Sequence, residues 1–158
     1  MQERYLKSLR LLSVCYHAFE QLSASHIRGS GLTPSQFDIV ATLGNTKGMC
    51  FRELGDKTLI TKGTLTGVVD RLTQKGLVRR TPLPDDRRMM MVQLTDHGEQ
   101  EFTRLFAPHI TLCKQPFAAY ADCDFEMLEN ALAKLKGVLN PAIAGCAVHR
   151  PSGDAGPR

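Results

Sequence analysis

The run Thr61-Lys62-Gly63-Thr64-Leu65-Thr66-Gly67-Val68-Val69-Asp70-Arg71-Leu72-Thr73-Gln74-Lys75-Gly76, followed by Leu77-Val78-Arg79-Arg80-Thr81, contains a change of period. Over 62–75 the apolar residues Leu65, Val68, Val69 and Leu72 recur at helical spacing, with Thr61 as the cap and Gly76 as the stop. From Leu77 the spacing is that of a short strand, and Met89-Met90-Met91-Val92-Gln93-Leu94 supplies a second. Pro82 to Arg88 joins the two strands, with Pro84-Asp85-Asp86 as turn chemistry at its tip. Burying the helical stripe turns Lys62, Gly63, Thr66, Gly67 and Asp70 outward, flanked by Thr64 and Arg71.

Upstream, Thr33-Pro34-Ser35-Gln36 predicts a helix start. Thr33 caps, Pro34 takes the first helical position and Gln36 completes a capping box. Phe37, Ile39, Val40 and Leu43 then face inward as far as Gly44, and 51–59 reads as a short helix carrying Phe51, Leu54 and Leu59. Helix, turn, helix and then a two-stranded ribbon is the winged helix-turn-helix order. The predicted class is mainly α with a small β-hairpin wing, an α+β fold.

The flanks are helical. Residues 3–27 carry one stripe of Tyr5, Leu9, Leu12, Tyr16 and Phe19 and an adjacent one of Leu11, Cys15, Ala18 and Leu22. At 1.5 Å per residue that rod is about 40 Å long, more than a small domain covers alone, so it calls for a partner chain. Asp96 and Glu99 read as a capping box opening a helix of about twenty residues, with Phe102, Leu105, Phe106, Ile110 and Phe117 inward. Pro108 should bend it and Pro116 end it. A last helix over 124–139 carries Leu128, Ala131, Leu132, Leu135 and Leu139. The expected organisation is a helical dimerisation region, 1–31 and 96–140, around a winged helix-turn-helix domain, 32–95, with a flexible tail over 141–158.

A chain of 158 residues with 42% apolar and 23% charged residues has ordinary globular composition and room for about one domain. No run approaches the roughly 18 apolar residues of a membrane span. Met1-Gln2-Glu3-Arg4 lacks the layout of a secretory leader, which predicts a cytoplasmic protein. Five scattered cysteines without a CxxC pair argue against a disulfide framework or a finger-type zinc site. Between Lys57 and Arg88 eight basic residues face three acidic ones, a net +5 in a chain of net +4, so the rest sums to −1. That excess lies on the predicted helix and ribbon, where phosphates would meet it.

A helix of about 14 residues fits the major groove if its outer face is small and polar. Two internal glycines cost about 1 kcal/mol each relative to alanine. Close approach of backbone to DNA and tight packing against a neighbouring helix both account for them. Thr61 and Thr64 can donate to phosphates near the helix N-terminus. Asp86, Arg87 and Arg88 place two guanidinium groups on the hairpin loop, with carboxylates near enough to orient one, and such an arginine can enter a narrow minor groove.

Taken together, Leu32-Thr33-Pro34-Ser35-Gln36-Phe37, Gly63 to Leu72, Lys75-Gly76-Leu77-Val78-Arg79-Arg80, Asp86-Arg87-Arg88 and Leu94-Thr95-Asp96-His97-Gly98 resemble the MarR family of bacterial transcriptional regulators over about residues 5–140. The resemblance implies a homodimer with interlocked first and last helices that binds a pseudo-palindromic operator. It also implies that Arg88 reaches the minor groove, braced by Asp86. Gly63 departs from the family, where many members carry a phosphate-touching hydroxyl; Thr64 or Thr61 would take over that contact.

Members of this family release DNA on a chemical signal, and three readings follow from the residues. Cys15, beside Tyr16, and Cys50, near a helix N-terminus, are redox candidates. Glu20, Asp38 and His109 fall near positions that resemble the ligand positions of zinc-sensing members, with His26 close by, and His109 and Cys113 lie four apart on one helix face, so these five are the metal candidates. Leu105 stands where zinc-sensing members have a histidine, which leaves that site incomplete. Tyr16, His17, Phe37 and His109 would line a pocket for a small aromatic effector; the stretch Leu54 to Val69 is most similar to the branch that answers quinones and phenols. No cofactor is called for. An enzyme is not indicated: the glycine–threonine run lacks the lysine of a P-loop, and neither HExxH nor GxSxG occurs. A winged-helix module for protein–protein contact is the rival from another class.

Overall fold

The second helix begins where four residues close a local ring. The Thr33 side chain accepts from the Gln36 amide at 3.3 Å, and the Thr33 amide donates to Gln36 Oε1 at 3.1 Å. The helix runs Pro34–Leu43 (α2) after a long first helix, Arg4–Ile27 (α1). The computed structural model describes residues 3–82 and 89–148. The chain divides into two compact units, Met1–Gln115 and Pro116–Arg158.

In the first unit, α2 is followed by β1 (Met49–Cys50), α3 (Phe51–Thr58), α4 (Lys62–Gln74), β2 (Val78–Pro82), β3 (Met90–Leu94) and α5 (Asp96–Lys114). The strands form one antiparallel sheet in the order β1-β3-β2, with Arg80 opposite Val92 and Cys50 opposite Met91. β1 was not expected: two residues carry no alternation to read, and their partners lie some forty positions away. Ile39, Leu43, Leu54, Leu72, Val69 and Val92 are the sealed centre of the core, contributed by three helices and the middle strand.

The start of α5 corrects the sequence reading. Thr95, rather than Asp96, is the cap: its Oγ1 accepts from the Gly98 amide at 3.1 Å and donates to the Gly76 carbonyl at 2.6 Å. The same hydroxyl thus starts α5 and holds the turn that ends α4, where Gly76 adopts φ +70° and Leu77 donates to the Leu72 carbonyl at 3.0 Å. Asp96 and Glu99 then sit in the first turn, where the helix dipole favours them. Gly98 is fixed by space. A Cβ there would stand 2.0 Å from the Leu77 carbonyl oxygen.

α5 carries Pro108 inside it and stops at Lys114, followed by a 3₁₀ turn, Gln115–Phe117. Phe102 and Leu105 are buried as expected and Phe106 packs against the core, but Ile110 is 48% exposed. Phe117 is no part of that core; in the second unit its ring meets Tyr120 and Phe125 at 5.5 and 5.9 Å. The last helix, α6, runs Asp122–Val148, so the expected tail from Pro141 is corrected: Pro141 lies inside the helix. A proline removes only its own amide bond, and the alanine-rich segment after it favours helix. Residues 149–158 lie outside the described part.

α1 leaves its apolar stripes open. Tyr5, Leu6, Leu11, Val14 and Tyr16 are all more than half exposed, and Ile27 alone of the helix is buried. On α6 Met127, Val138 and Ile143 are likewise exposed. Among the described residues no helix is long and apolar enough to cross a membrane.

Because backbone faces Gly98, relief by a side-chain shift is closed. Gly98→Ala is expected to lower stability by about 1–3 kcal/mol, read as a lower midpoint of urea or thermal unfolding. An unchanged midpoint would show that α5 does not approach Leu77 this closely in solution.

Candidate nucleic-acid interface

α4 is held by its inner face. Leu65, Val68, Val69 and Leu72 are buried, the last two completely. Lys62, Gly63, Thr64, Thr66, Asp70 and Arg71 are exposed, and Gly67 is half-buried. The two glycine readings separate here. Among the described residues nothing comes within 4 Å of a Cβ built on Gly63 or Gly67, so no neighbouring helix packs there and both face open space.

Thr61 occupies the cap position of α4, yet its side chain makes no capping bond to the helix backbone. Its hydroxyl pairs with Thr64 Oγ1 at 3.1 Å instead. The first amides of α4 are therefore free of a side-chain acceptor, at the helix end where the dipole favours an anion. Leu59, in the turn before Thr61, takes φ +56° and is 87% exposed. A groove of about 790 Å³ runs beside this turn, with Phe51, Leu59, Lys62, Thr66 and Met90 in its wall.

One pairing on this surface was not foreseen. The Arg80 guanidinium, on β2, pairs with the Asp70 carboxylate on α4 and lies 5.2 Å over the Phe51 ring of α3. Position in sequence gives no hint of it, since the two charges are ten apart across a helix end and a turn. Asp86, Arg87 and Arg88 lie outside the described residues.

The effector candidates are divided. Phe37 and His109 are both buried, with ring centroids 4.5 Å apart, where α2 meets α5. His109 Nε2 lies 3.5 Å from Ser23 Oγ and 3.4 Å from Cys113 Sγ, while its buried Nδ1 has no partner. His26 Nδ1 is buried and unpartnered too, and its ring is 5.4 Å from that of His109. His17 is exposed instead and stands 3.6 Å from Glu20. Tyr16 is 62% exposed; its hydrogen bond to Glu20, with the charges of Glu20 and Asp38 and some burial, raises its phenol above the ordinary value. Burial alone raises the Asp38 carboxyl and the Cys113 thiol.

Of the metal candidates Glu20, His26, Asp38, His109 and Cys113, His109 stands beside both His26 and Cys113, and among the described residues no group of three such side chains has the geometry to hold a metal ion. Cys15 is an exposed free thiol on α1; Cys50, also free, is half-buried at the cap of α3.

A family model for the MarR family matches residues 32–90, from two residues before α2 to the first residue of β3. The HTH-type transcriptional regulator MhqR of Bacillus subtilis (strain 168) is 30% identical over 135 residues, 85% of this chain and 93% of that protein. The chain belongs to the MarR family of transcriptional regulators. AbsC, a MarR-family regulator from Streptomyces coelicolor, has the same fold, with a TM-score of 0.79 at 22% identity over 89% of this chain and 97% of that one. BpsR of Bordetella bronchiseptica, described for the regulation of its DNA binding by 6-hydroxynicotinic acid, superposes with a TM-score of 0.70 at 24% identity, over 80% of this chain and 91% of that one. Membership makes this winged helix a DNA-binding regulator and not an enzyme.

Two predictions follow for this MarR-family chain. Gly67→Ala fills open space inside a helix, so it should stabilise the fold by up to about 1 kcal/mol while weakening operator binding severalfold. A gain in stability with unchanged affinity would remove Gly67 from the interface. The second concerns pH. Burial first, and then His26, lower the His109 imidazole below its ordinary value. As pH falls the unfolded chain is protonated first. The contribution of this group is complete above about pH 6.5 and is lost as pH falls from there through the lower folded value. His109→Phe should flatten the fall of the thermal midpoint below about pH 6.5; an identical fall in wild type and variant would place its origin elsewhere.

Proposed function

We propose that this MarR-family regulator is a cytoplasmic repressor that binds a pseudo-palindromic operator as a homodimer. The observation that carries the reading is the contrast across α4. Its inner face is sealed, while the outer face is small, polar and open over the first two turns. Thr61, Lys62, Gly63, Thr64, Thr66, Gly67 and Arg71 form the groove and phosphate contacts, with Asp86, Arg87 and Arg88 at the wing. The exposed apolar stripes of α1 and α6 support assembly with a second copy through 1–31 and 96–140, around a DNA-binding domain of 32–95. Half-sites then fall about one helical turn apart.

Release is assigned to a phenolic or quinone-like molecule seated among Tyr16, Phe37 and His109, with His17 at the exposed edge. Supporting this, the His109 Nδ1 is buried without a partner beside an aromatic ring, which suits a planar ligand carrying a hydrogen-bonding group. The DNA binding of the structural neighbour BpsR is regulated by 6-hydroxynicotinic acid, which is likewise a small planar ring carrying a hydroxyl group. An oxidant acting at Cys15 or Cys50 is the second route, favoured by the exposure of Cys15.

The test is fluorescence anisotropy on DNA from upstream of the chain's own gene, with reduced protein, before and after a simple phenol or a stoichiometric oxidant. Tight binding that a phenol abolishes, and that His109→Phe makes insensitive, is the expected result. Loss on oxidation with recovery by thiol would move the switch to the cysteines. Binding that ignores both agents would contradict the assigned release.

A further inference from the structure

Asp70 is the one acidic residue between Lys62 and Gln74, and it sits on the exposed side of the helix that faces DNA. A carboxylate there would repel phosphates across a short distance. Arg80 meets it. On β2 the side chains of Val78 and Arg80 fall on one face of the strand, the face on which Val78 is buried, while Arg79 turns the other way toward Gln93 at 3.4 Å. Arg80 therefore emerges from beneath the sheet, with its side chain 29% exposed. Its guanidinium pairs with Asp70, whose side chain is 49% exposed, and lies over the Phe51 ring. One side chain joins α3, α4 and β2.

We propose that Arg80 is a positioning residue for DNA binding. It masks the Asp70 carboxylate, so that the outer face of α4 meets the duplex without a free negative charge, and it makes no phosphate contact of its own. This rests on α4 as the DNA-reading helix. Counting charge along the chain treats Arg79 and Arg80 alike as a basic pair; their geometry gives them different work.

The experiment compares wild type, Arg80→Gln, Arg80→Lys, Asp70→Asn and the double variant. The probe is a duplex selected by the wild-type full chain from a random library, titrated over a range of salt. Wild-type binding to that duplex tests the DNA reading itself; the variants test only the proposal. Arg80→Gln is expected to weaken binding about tenfold while keeping the wild-type salt slope. Adding Asp70→Asn to it should restore most of the loss, and Arg80→Lys should bind within about threefold of wild type. An Arg80 that touched phosphate would instead lower the slope by about 0.9 for each subunit, ~1.8 for the dimer, and would not be rescued by Asp70→Asn, and that result overturns the proposal. So does unchanged affinity in a folded Arg80→Gln. Should Arg80→Gln fail to fold, Asp70→Asn alone decides: affinity equal to or above wild type supports masking, and a tenfold loss refutes it.

Discussion

The molecule depends on burying one stripe of one helix. Leu65, Val68, Val69 and Leu72 of α4 disappear into a core shared with Ile39, Val40 and Leu43 of α2, Leu54 of α3 and Val92 of β3. Each fully buried aliphatic side chain is worth about 1.5–3 kcal/mol, so rotation of α4 about its axis would expose several such residues at once. The outer face is thereby fixed with no packing of its own, and among the described residues its one tie to another element is the Asp70–Arg80 pair. It can remain small, polar and free of packing, which is what a helix that enters a groove requires.

The ends of α4 are joined to the rest of the lobe by polar ties. At its C-terminal end, Thr95 links the Gly76 carbonyl to the first turn of α5, and Gly98 lets that helix approach the Leu77 backbone. Along its length, Arg80 joins Asp70 to the wing and to α3. α4, β2 and α5 are therefore tied to one another by polar contacts. The Phe37–His109 contact lies on α5 and α2, both of which pack on this lobe. A ligand that shifts α5 there acts on the element that Thr95 ties to the end of α4.

Whatever the chain encodes within a few residues was readable from it. The Thr33–Gln36 capping box, the stripe of α4 and the stop at Gly76 each need only a local pattern. What was missed depends on distant partners. The Asp96 cap looked complete, but the competing Thr95 hydroxyl wins because Gly76 is folded against it. Ile110 falls on a helical stripe that the core does not reach, leaving it 48% exposed. Spacing along the chain is enough to set Cys113 beside His109, while the approach of His26 to the same ring depends on how α1 meets α5. The unpartnered nitrogens of the two histidines had no signal in sequence at all.

The central claim is that α4 lies in the major groove, twice, in one assembly. It is tested most directly by tethering an iron chelate to Gln74→Cys, at the exposed end of α4, in a chain whose native cysteines are serine, and mapping cleavage of bound DNA. The account predicts two clusters of cuts spanning the major groove, about one helical turn apart. A single cluster, or cuts confined to the minor groove, would contradict it.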